Sequence, residues 1–198
     1  MPLTSVPTVP FFDWTGYYEH TLTQGNKPAG LALKSAYIDK SRGSALDLGS
    51  GMLAASLLFL GAGFRRVTAV DYDEKAAILS SALVEHKRGR FEFYQQFFHQ
   101  FEFGAQRFDL IHADNSLPYA GEVHFEPVIE ASLRSLKAGG LFAATFFGTK
   151  HVMLRFRNDV VTVSKDWAEK RFADMKGLHI IEESDDGRHY IEVICSKP

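Results

Sequence analysis

The chain has 198 residues, of which 45% are hydrophobic and 23% charged, with a formal net charge of -2 and a pI near 6.4. That is the composition of one globular domain with a full core, and it excludes a disordered or fibrous chain. No Lys/Arg block offers a phosphate-tracking surface and no apolar stretch reaches membrane-spanning length, so neither nucleic acid nor a membrane is an expected partner.

The single cysteine, Cys195, cannot form an internal disulfide, and its apolar terminal run predicts a buried structural thiol. Met1 to Pro10 lacks a basic start followed by an apolar segment, so a cytoplasmic location is expected.

Residues 1–28 read as an aromatic N-terminal arm, in which Phe11, Phe12, Trp14, Tyr17 and Tyr18 precede a turn-rich run from Thr23 to Pro28. Leu31, Leu33, Ala36 and Tyr37 then form a helical stripe that ends near Ser41-Arg42-Gly43. From there short apolar runs alternate with longer amphipathic ones. The strands are predicted at Ala45–Leu48, Arg66–Val70, Phe91–Tyr94, Phe108–His112 and Leu141–Phe147. Helices are predicted between them at Leu53–Leu60, Glu74–His86 and Phe125–Leu136, the last with Phe125, Val128, Ile129, Leu133 and Leu136 on one face. Such alternation builds a mostly parallel sheet covered on both faces. Ser164–Met175 reads as one more helix, and Leu178–Glu182 and Tyr190–Ile194 as two strands. Asp185-Asp186-Gly187 between them can close an antiparallel hairpin.

The strongest local signal is Ala45-Leu46-Asp47-Leu48-Gly49-Ser50-Gly51, an apolar strand that runs into Gly-Ser-Gly and then a helix. Glycines there let the backbone turn tightly and approach a ligand closely. A second strand ends in Asp71, 22 residues beyond Gly49, where a carboxylate can accept hydrogen bonds from both ribose hydroxyls. Strand, glycine loop, helix, strand and acid is the pattern of a nucleoside-binding half-fold, or else an ordinary βα turn with an N-capping Asp, and two cofactors compete for the first reading. Gly49-x-Gly51-x-x-Ala54 satisfies the relaxed dinucleotide fingerprint, which would make the chain an NAD(P)-dependent oxidoreductase.

Other features resemble the class I S-adenosylmethionine-dependent methyltransferases. Asp47 stands two residues before the first glycine, as in that family's acidic-x-Gly-x-Gly motif. Ser132-Leu133-Arg134-Ser135-Leu136-Lys137-Ala138-Gly139-Gly140-Leu141-Phe142 resembles its helix, Leu-Lys-x-Gly-Gly turn and fifth strand. Phe108-Asp109-Leu110-Ile111-His112-Ala113 is similar to its fourth strand, and the terminal hairpin to its antiparallel seventh. Phe146-Phe147-Gly148 and the following loop resemble small-molecule methyltransferases related to the tellurite-resistance enzymes.

The resemblance implies a doubly wound, mostly parallel seven-stranded α/β sheet with a C-terminal antiparallel hairpin, binding S-adenosylmethionine and acting on a small-molecule methyl acceptor. It implies that Asp47, Gly49, Ser50 and Gly51 hold the methionine end of the cofactor and that Asp71 binds its ribose. Tyr72 would lie along the adenine, backbone at Phe97 and Phe98 would approach its edge, and backbone at Ala113 would meet the methionine amino group. The sequence departs from the pattern at Leu53, where many members carry a third glycine, and at Phe97, where many carry an Asp for the adenine amino group. A nucleoside-binding member without catalysis is the alternative these departures keep open.

Trp14 and Tyr18 of the arm, with His112, Asp114, Asn115 and Tyr119 after the fourth strand, are expected to wall the substrate site, together with the loop from Gly148 to Val163. His112 is the expected general base, should the acceptor need one, because it closes a strand beside the methyl position. His151, Arg155 and Arg157 could recognise an anionic substrate, or the arginines could instead be solvated or paired with Asp159 and the acidic residues of the hairpin. No metal is expected: the eight histidines include no H-x-x-x-H pair, and Asp114-Asn115 lacks a third ligand. Ser50 lacks the spacing of a hydrolase nucleophile elbow.

Overall fold

The computed structural model describes residues 43–198 apart from Phe156 and Asp186. The aromatic arm, the stripe ending near Gly43 and the expected substrate residues Trp14 and Tyr18 lie outside the described residues.

Among the described residues seven strands form one sheet in the order β3-β2-β1-β4-β5-β7-β6. Their ranges are β1 Ser44–Leu48, β2 Arg66–Asp71, β3 Phe91–Gln95, β4 Phe108–Asp114, β5 Leu136–Phe147, β6 Lys176–Asp185 and β7 Arg188–Ser196. The helices are α1 Ala54–Gly61, α2 Glu74–His86, α3 Glu122–Ser135 and α4 Lys165–Arg171. Strands β1 to β5 are parallel, and β7 runs antiparallel to both β5 and β6. The doubly wound dinucleotide fold is 3-2-1-4-5-6 and lacks an antiparallel strand inserted beside the fifth, so this topology removes the oxidoreductase alternative.

Alternation along the strands sends side chains to two cores. Leu46, Leu48, Ile111, Ala113, Phe142, Ala144 and Phe146 face α3 and α4, and pack on Phe125, Val128, Ile129, Ala168 and Phe172. Ala45, Val67, Ala69, Leu110, Leu141 and Ala143 face the other way, against Leu53, Ala55, Phe59 and Leu60. Phe59, Phe64, Phe91, Phe142, Phe146 and Phe172 are each at most 2% exposed, and full burial of one such ring is worth roughly 1.5–3 kcal/mol. Cys195 belongs to this interior, where burial pushes its thiol up to about 12.

Several boundaries differ from the sequence reading, among them the start of α3 at Glu122 rather than Phe125 and the end of β4 at Asp114 rather than His112. Strand β5 begins at Leu136 rather than Leu141, with an irregular register against β4 between Phe108 and Leu110, so helix α3 stops at Ser135. Helix α4 is shorter than Ser164–Met175: the Ser164 side chain caps it by accepting from Trp167 N–H, and it ends at Arg171. The hairpin strands are longer than their apolar runs, pairing from Lys176 with Ser196 to Asp185 with Arg188. No helix among the described residues is long and apolar enough to cross a membrane.

Candidate functional site

Strands β1 and β4 part company at the carboxyl edge of the sheet, where their ladder ends at Asp47 and His112. This is the switch point at which open α/β sheets bind ligands. After Leu48 the chain enters the glycine loop. Gly49 N–H donates to Val70 O at 2.8 Å, and a side chain on Gly49, at φ +74°, would overlap Ser116 Cβ. Ser116 is held there by its own hydroxyl, which donates to Leu48 O at 2.6 Å. The third position of the loop, Leu53, takes the left-handed φ of +62° usual for glycine while burying its side chain.

Asp71 ends β2 and ties the loop to the next turn. Its Oδ2 accepts Gly51 N–H at 2.8 Å and its Oδ1 accepts Asp73 N–H at 2.9 Å. Burial pushes its carboxyl up, against the two backbone hydrogen bonds that pull it down. A carboxylate offers about four acceptor sites, so each oxygen keeps one for a hydroxyl.

Tyr72 follows, 41% exposed, and stacks on Phe97 with ring centroids 5.2 Å apart. Among the described phenylalanines Phe97 is the one that stands exposed. Its backbone N–H donates to Gln100 Oε1 at 3.3 Å, while Phe98 turns into the core. The stack continues from Phe97 to His99 and from His99 to His124, the last pair 3.9 Å apart.

Two expected residues sit beneath the loop instead of opening onto it. Asp47 is 1% exposed; its Oδ2 accepts the Ser56 hydroxyl at 2.6 Å and its Oδ1 lies 2.9 Å from His112 Nδ1. His112 is also 1% exposed, with the Phe59 ring edge-on at 5.5 Å. A base has to touch its substrate, so the enclosure of His112 removes it from that role, and Asp47 becomes a positioning residue. Both lie on the α1 side of the sheet, because they alternate with core residues of the other face.

Ala113 is fully buried and borders the gap between β1 and β4, one residue past the end of their ladder. Asp114 is half-buried at the end of β4. Burial raises its carboxyl, against the charge of His112 and the nearby Thr145 hydroxyl. Asn115 follows with φ +53°, donates its amide to Asp114 Oδ1 at 3.2 Å, and leaves Oδ1 buried without a partner. Ser50 Oγ is likewise buried and unpartnered at the other lip.

The far wall comes from the end of β5 and its loop. Tyr119 meets Phe147 edge-on at 5.6 Å, and His151 stacks on Phe147 at 4.2 Å and lies 4.9 Å from Tyr190. His151 Nδ1 accepts Met153 N–H at 3.1 Å, and burial lowers the ring to about 4. Burial also raises the Tyr119 and Tyr190 phenols, so both remain protonated. The Arg157 guanidinium pairs with both Asp159 oxygens and lies 5.2 Å over the Tyr119 ring, which raises its own basicity. It is committed to Asp159 rather than offered to an incoming anion. Arg155 is exposed.

Thr145 and Tyr190 were missed by the sequence reading. A hydroxyl inside the apolar run Leu141–Phe147 was the available signal for Thr145; Tyr190 lay in a terminal strand and gave none. No group of three or more His, Cys, Asp or Glu able to hold a metal occurs among the described residues.

Residues 45–140 match the family described as Methyltransferase domain. That match spans 96 of the 198 residues, and with the strand order it gives the described part of the chain the class I methyltransferase fold. Within the class, its fold is similar to several solved structures. One is the Burkholderia thailandensis 1,6-didemethyltoxoflavin-N1-methyltransferase with bound 1,6-didemethyltoxoflavin and S-adenosylhomocysteine. It is 18% identical, with a TM-score of 0.67 over 91% of this chain and 83% of that one. A second is the N-methyltransferase NodS from Bradyrhizobium japonicum WM9, 15% identical, with a TM-score of 0.67 over 94% of this chain and 99% of that one. A third is a chain of the complex containing the Haloferax volcanii Trm112 methyltransferase activator, 17% identical, with a TM-score of 0.71 over 93% and 96%. No curated protein matches the sequence.

Proposed function

We propose that this protein transfers the methyl group of S-adenosylmethionine to a small-molecule acceptor. The observation that carries the reading is Asp71, a buried carboxylate at the carboxyl end of β2 that braces the glycine loop and keeps two acceptor sites for ribose hydroxyls. Gly49, Ser50 and Gly51 would surround the methionine end, with the orphan Ser50 Oγ facing it and Asn115 Oδ1 accepting from its ammonium group. Tyr72 and Phe97 would give the adenine an exposed aromatic surface, and the edge of Ala113 would close the cleft.

The bound cofactor supplies a methyl already activated on a sulfonium. The chain therefore has to align the acceptor and exclude water, which is the work of positioning and desolvation rather than of a covalent nucleophile. The S-adenosylhomocysteine held by the Burkholderia neighbour supports the cofactor assignment. A small-molecule acceptor is supported by the net charge of -2 and by the Phe146-Phe147-Gly148 resemblance to small-molecule methyltransferases.

Phe97 favours one second reading, a nucleoside-binding protein without turnover. It puts a ring where an Asp would grip the adenine amino group, and its own N–H is capped by Gln100. Release of S-adenosylhomocysteine from S-adenosylmethionine in the presence of an acceptor separates the two readings.

Calorimetry with S-adenosylhomocysteine tests the assignment. Asp71→Ala removes charge-assisted hydrogen bonds worth roughly 1.5–3 kcal/mol, so affinity should fall by about 10- to 100-fold. Unchanged affinity in a folded Asp71→Ala protein would take Asp71, and the cofactor reading with it, out of the cleft.

A further inference from the structure

Strands β4, β5 and β7 bring a second set of polar groups to the carboxyl edge, beside the cofactor half of the cleft. Asp114 is registered opposite Thr145, and Thr145 opposite Glu192, so the three side chains rise from the same face of successive strands. Thr145 is 3% exposed, and its hydroxyl makes no well-formed hydrogen bond, although it lies close enough to Asp114 to favour the ionised carboxylate. A buried hydroxyl without a full partner is costly, and a ligand group can supply what it lacks.

The next row on the same face is Phe147 and Tyr190, with His151 stacked on Phe147. His151 is 5% exposed, and because its Nδ1 accepts Met153 N–H, the neutral ring carries its proton on Nε2. That Nε2 is buried and has no partner. Asp114 lies close enough to Tyr190 for its charge to raise the phenol. This set of two carboxyl groups, Asp114 and Glu192, beside neutral aromatic rings disfavours an anion on two counts: like-charge repulsion and the negative faces of the rings. It suits a group that carries positive charge or N–H donors. Arg188 is near enough to Tyr190 to oppose the rise of its phenol, and Arg157, which lies over the Tyr119 ring, is held by Asp159.

We propose that the methyl acceptor is an amine, its nitrogen held between the Asp114 carboxylate and the Thr145 hydroxyl and its carbon skeleton against Phe147 and Tyr190. The inference rests on the methyl-transfer reading above. The amine reacts as its neutral form: its lone pair makes the new N–C bond, and the sulfur keeps the electron pair of the broken S–C bond. The proton then released by the methylated nitrogen passes to Asp114, whose burial makes it the more receptive, and from there to water. His151 Nε2–H is placed to donate to an acceptor atom elsewhere on the same molecule.

The test runs the full chain with S-adenosylmethionine against a panel of primary and secondary amines, carboxylic acids and thiols, with S-adenosylhomocysteine quantified by mass spectrometry. Calorimetry of each compound is performed in parallel on the protein saturated with S-adenosylhomocysteine. Turnover should be confined to amines, and Asp114→Asn should lower kcat/KM for them by about 100-fold or more while S-adenosylhomocysteine affinity stays within about threefold. Thr145→Val should raise KM more than it lowers kcat. Acids or thiols that turn over as well as amines would overturn the proposal. So would unchanged amine turnover in Asp114→Asn, or a saturated protein that neither binds nor methylates any amine. Failure of the wild type to bind S-adenosylhomocysteine would instead sink the methyl-transfer reading, and the acceptor assignment with it.

Discussion

Asp47 Oδ1 and His112 Nδ1 lie 2.9 Å apart, directly opposite each other across the β1–β4 ladder, with neither side chain more than 2% exposed. The Ser56 hydroxyl completes the cluster by donating to the other Asp47 oxygen, so one carboxylate fastens β1, β4 and helix α1 together just below the glycine loop. Removing it strands two buried polar groups that relied on it, which costs several kcal/mol, whereas the intact cluster adds little beyond a well-packed apolar one. Asp47→Ala should therefore destabilise the fold by roughly 2–4 kcal/mol and lower Tm by about 5–15 °C in thermal unfolding. A loss below about 1 kcal/mol would mean that the pair does not hold these strands together.

Gly49 makes a separate prediction, because two independent causes demand glycine there. Its φ of +74° costs an alanine about 1 kcal/mol, and the added methyl would run into Ser116. Gly49→Ala should cost roughly 2–4 kcal/mol in urea unfolding and should weaken S-adenosylhomocysteine binding. Ser116→Gly clears only the steric part. The double variant should then be more stable than the sum of the single effects by about 1–3 kcal/mol. Strict additivity would show that the loop shifts away from Ser116 at no cost.

Much of the sheet was legible in the sequence because five parallel strands and their helices obey simple periodicities, and because Gly49, Gly51 and Asp71 punctuate the strand ends. The site was legible to the extent that its chemistry is local. Asp71 acts through Gly51 and Asp73, its neighbours in a motif, and was readable. Asp47 and His112 were read as site residues because strand-end position was the available signal; which face of the strand they occupy depends on partners 65 positions apart in sequence. The same distance hid Thr145 and Tyr190, which acquire meaning once β7 inserts antiparallel beside β5. Leu53 shows the opposite case. The missing third glycine looked like a departure in backbone, yet the backbone keeps its left-handed turn, and burial of the leucine side chain, worth roughly 2 kcal/mol, outweighs about 1 kcal/mol of strain. Arg157 looked like a ligand group by residue type, but a carboxylate two residues away in the same loop claims it.

Acid stability depends on His151. Its burial lowers it from 6.5 to about 4, so between those values the unfolded chain binds a proton that the folded protein refuses. Stability rises with pH wherever the unfolded state holds more protons, so this histidine makes the fold weaker as pH falls from about 6.5 towards 4, and has no effect above about 7. The full shift corresponds to about 3 kcal/mol at one pH unit per 1.36 kcal/mol, and incomplete desolvation brings the expected loss to about 1–2 kcal/mol. Asp71 and Asp114 act with the opposite sign: their raised carboxyls take up protons in the folded protein first, which favours the fold as pH drops towards the ordinary carboxylate range. The His151 effect is thus cleanest between about pH 5 and 6.5, before the carboxylates offset it. His99 is lowered as well, by burial and by His124, but it is exposed, and water screens its contribution. Urea midpoints measured from pH 5 to 7.5 should decline on the acid side for the wild type and for His99→Ala. They should stay nearly level for His151→Gln, in which a side-chain oxygen can still accept Met153 N–H. If the acid-side decline survives in His151→Gln, the proton that weakens the fold is bound elsewhere, and His151 does not sit in the dry aromatic wall described here.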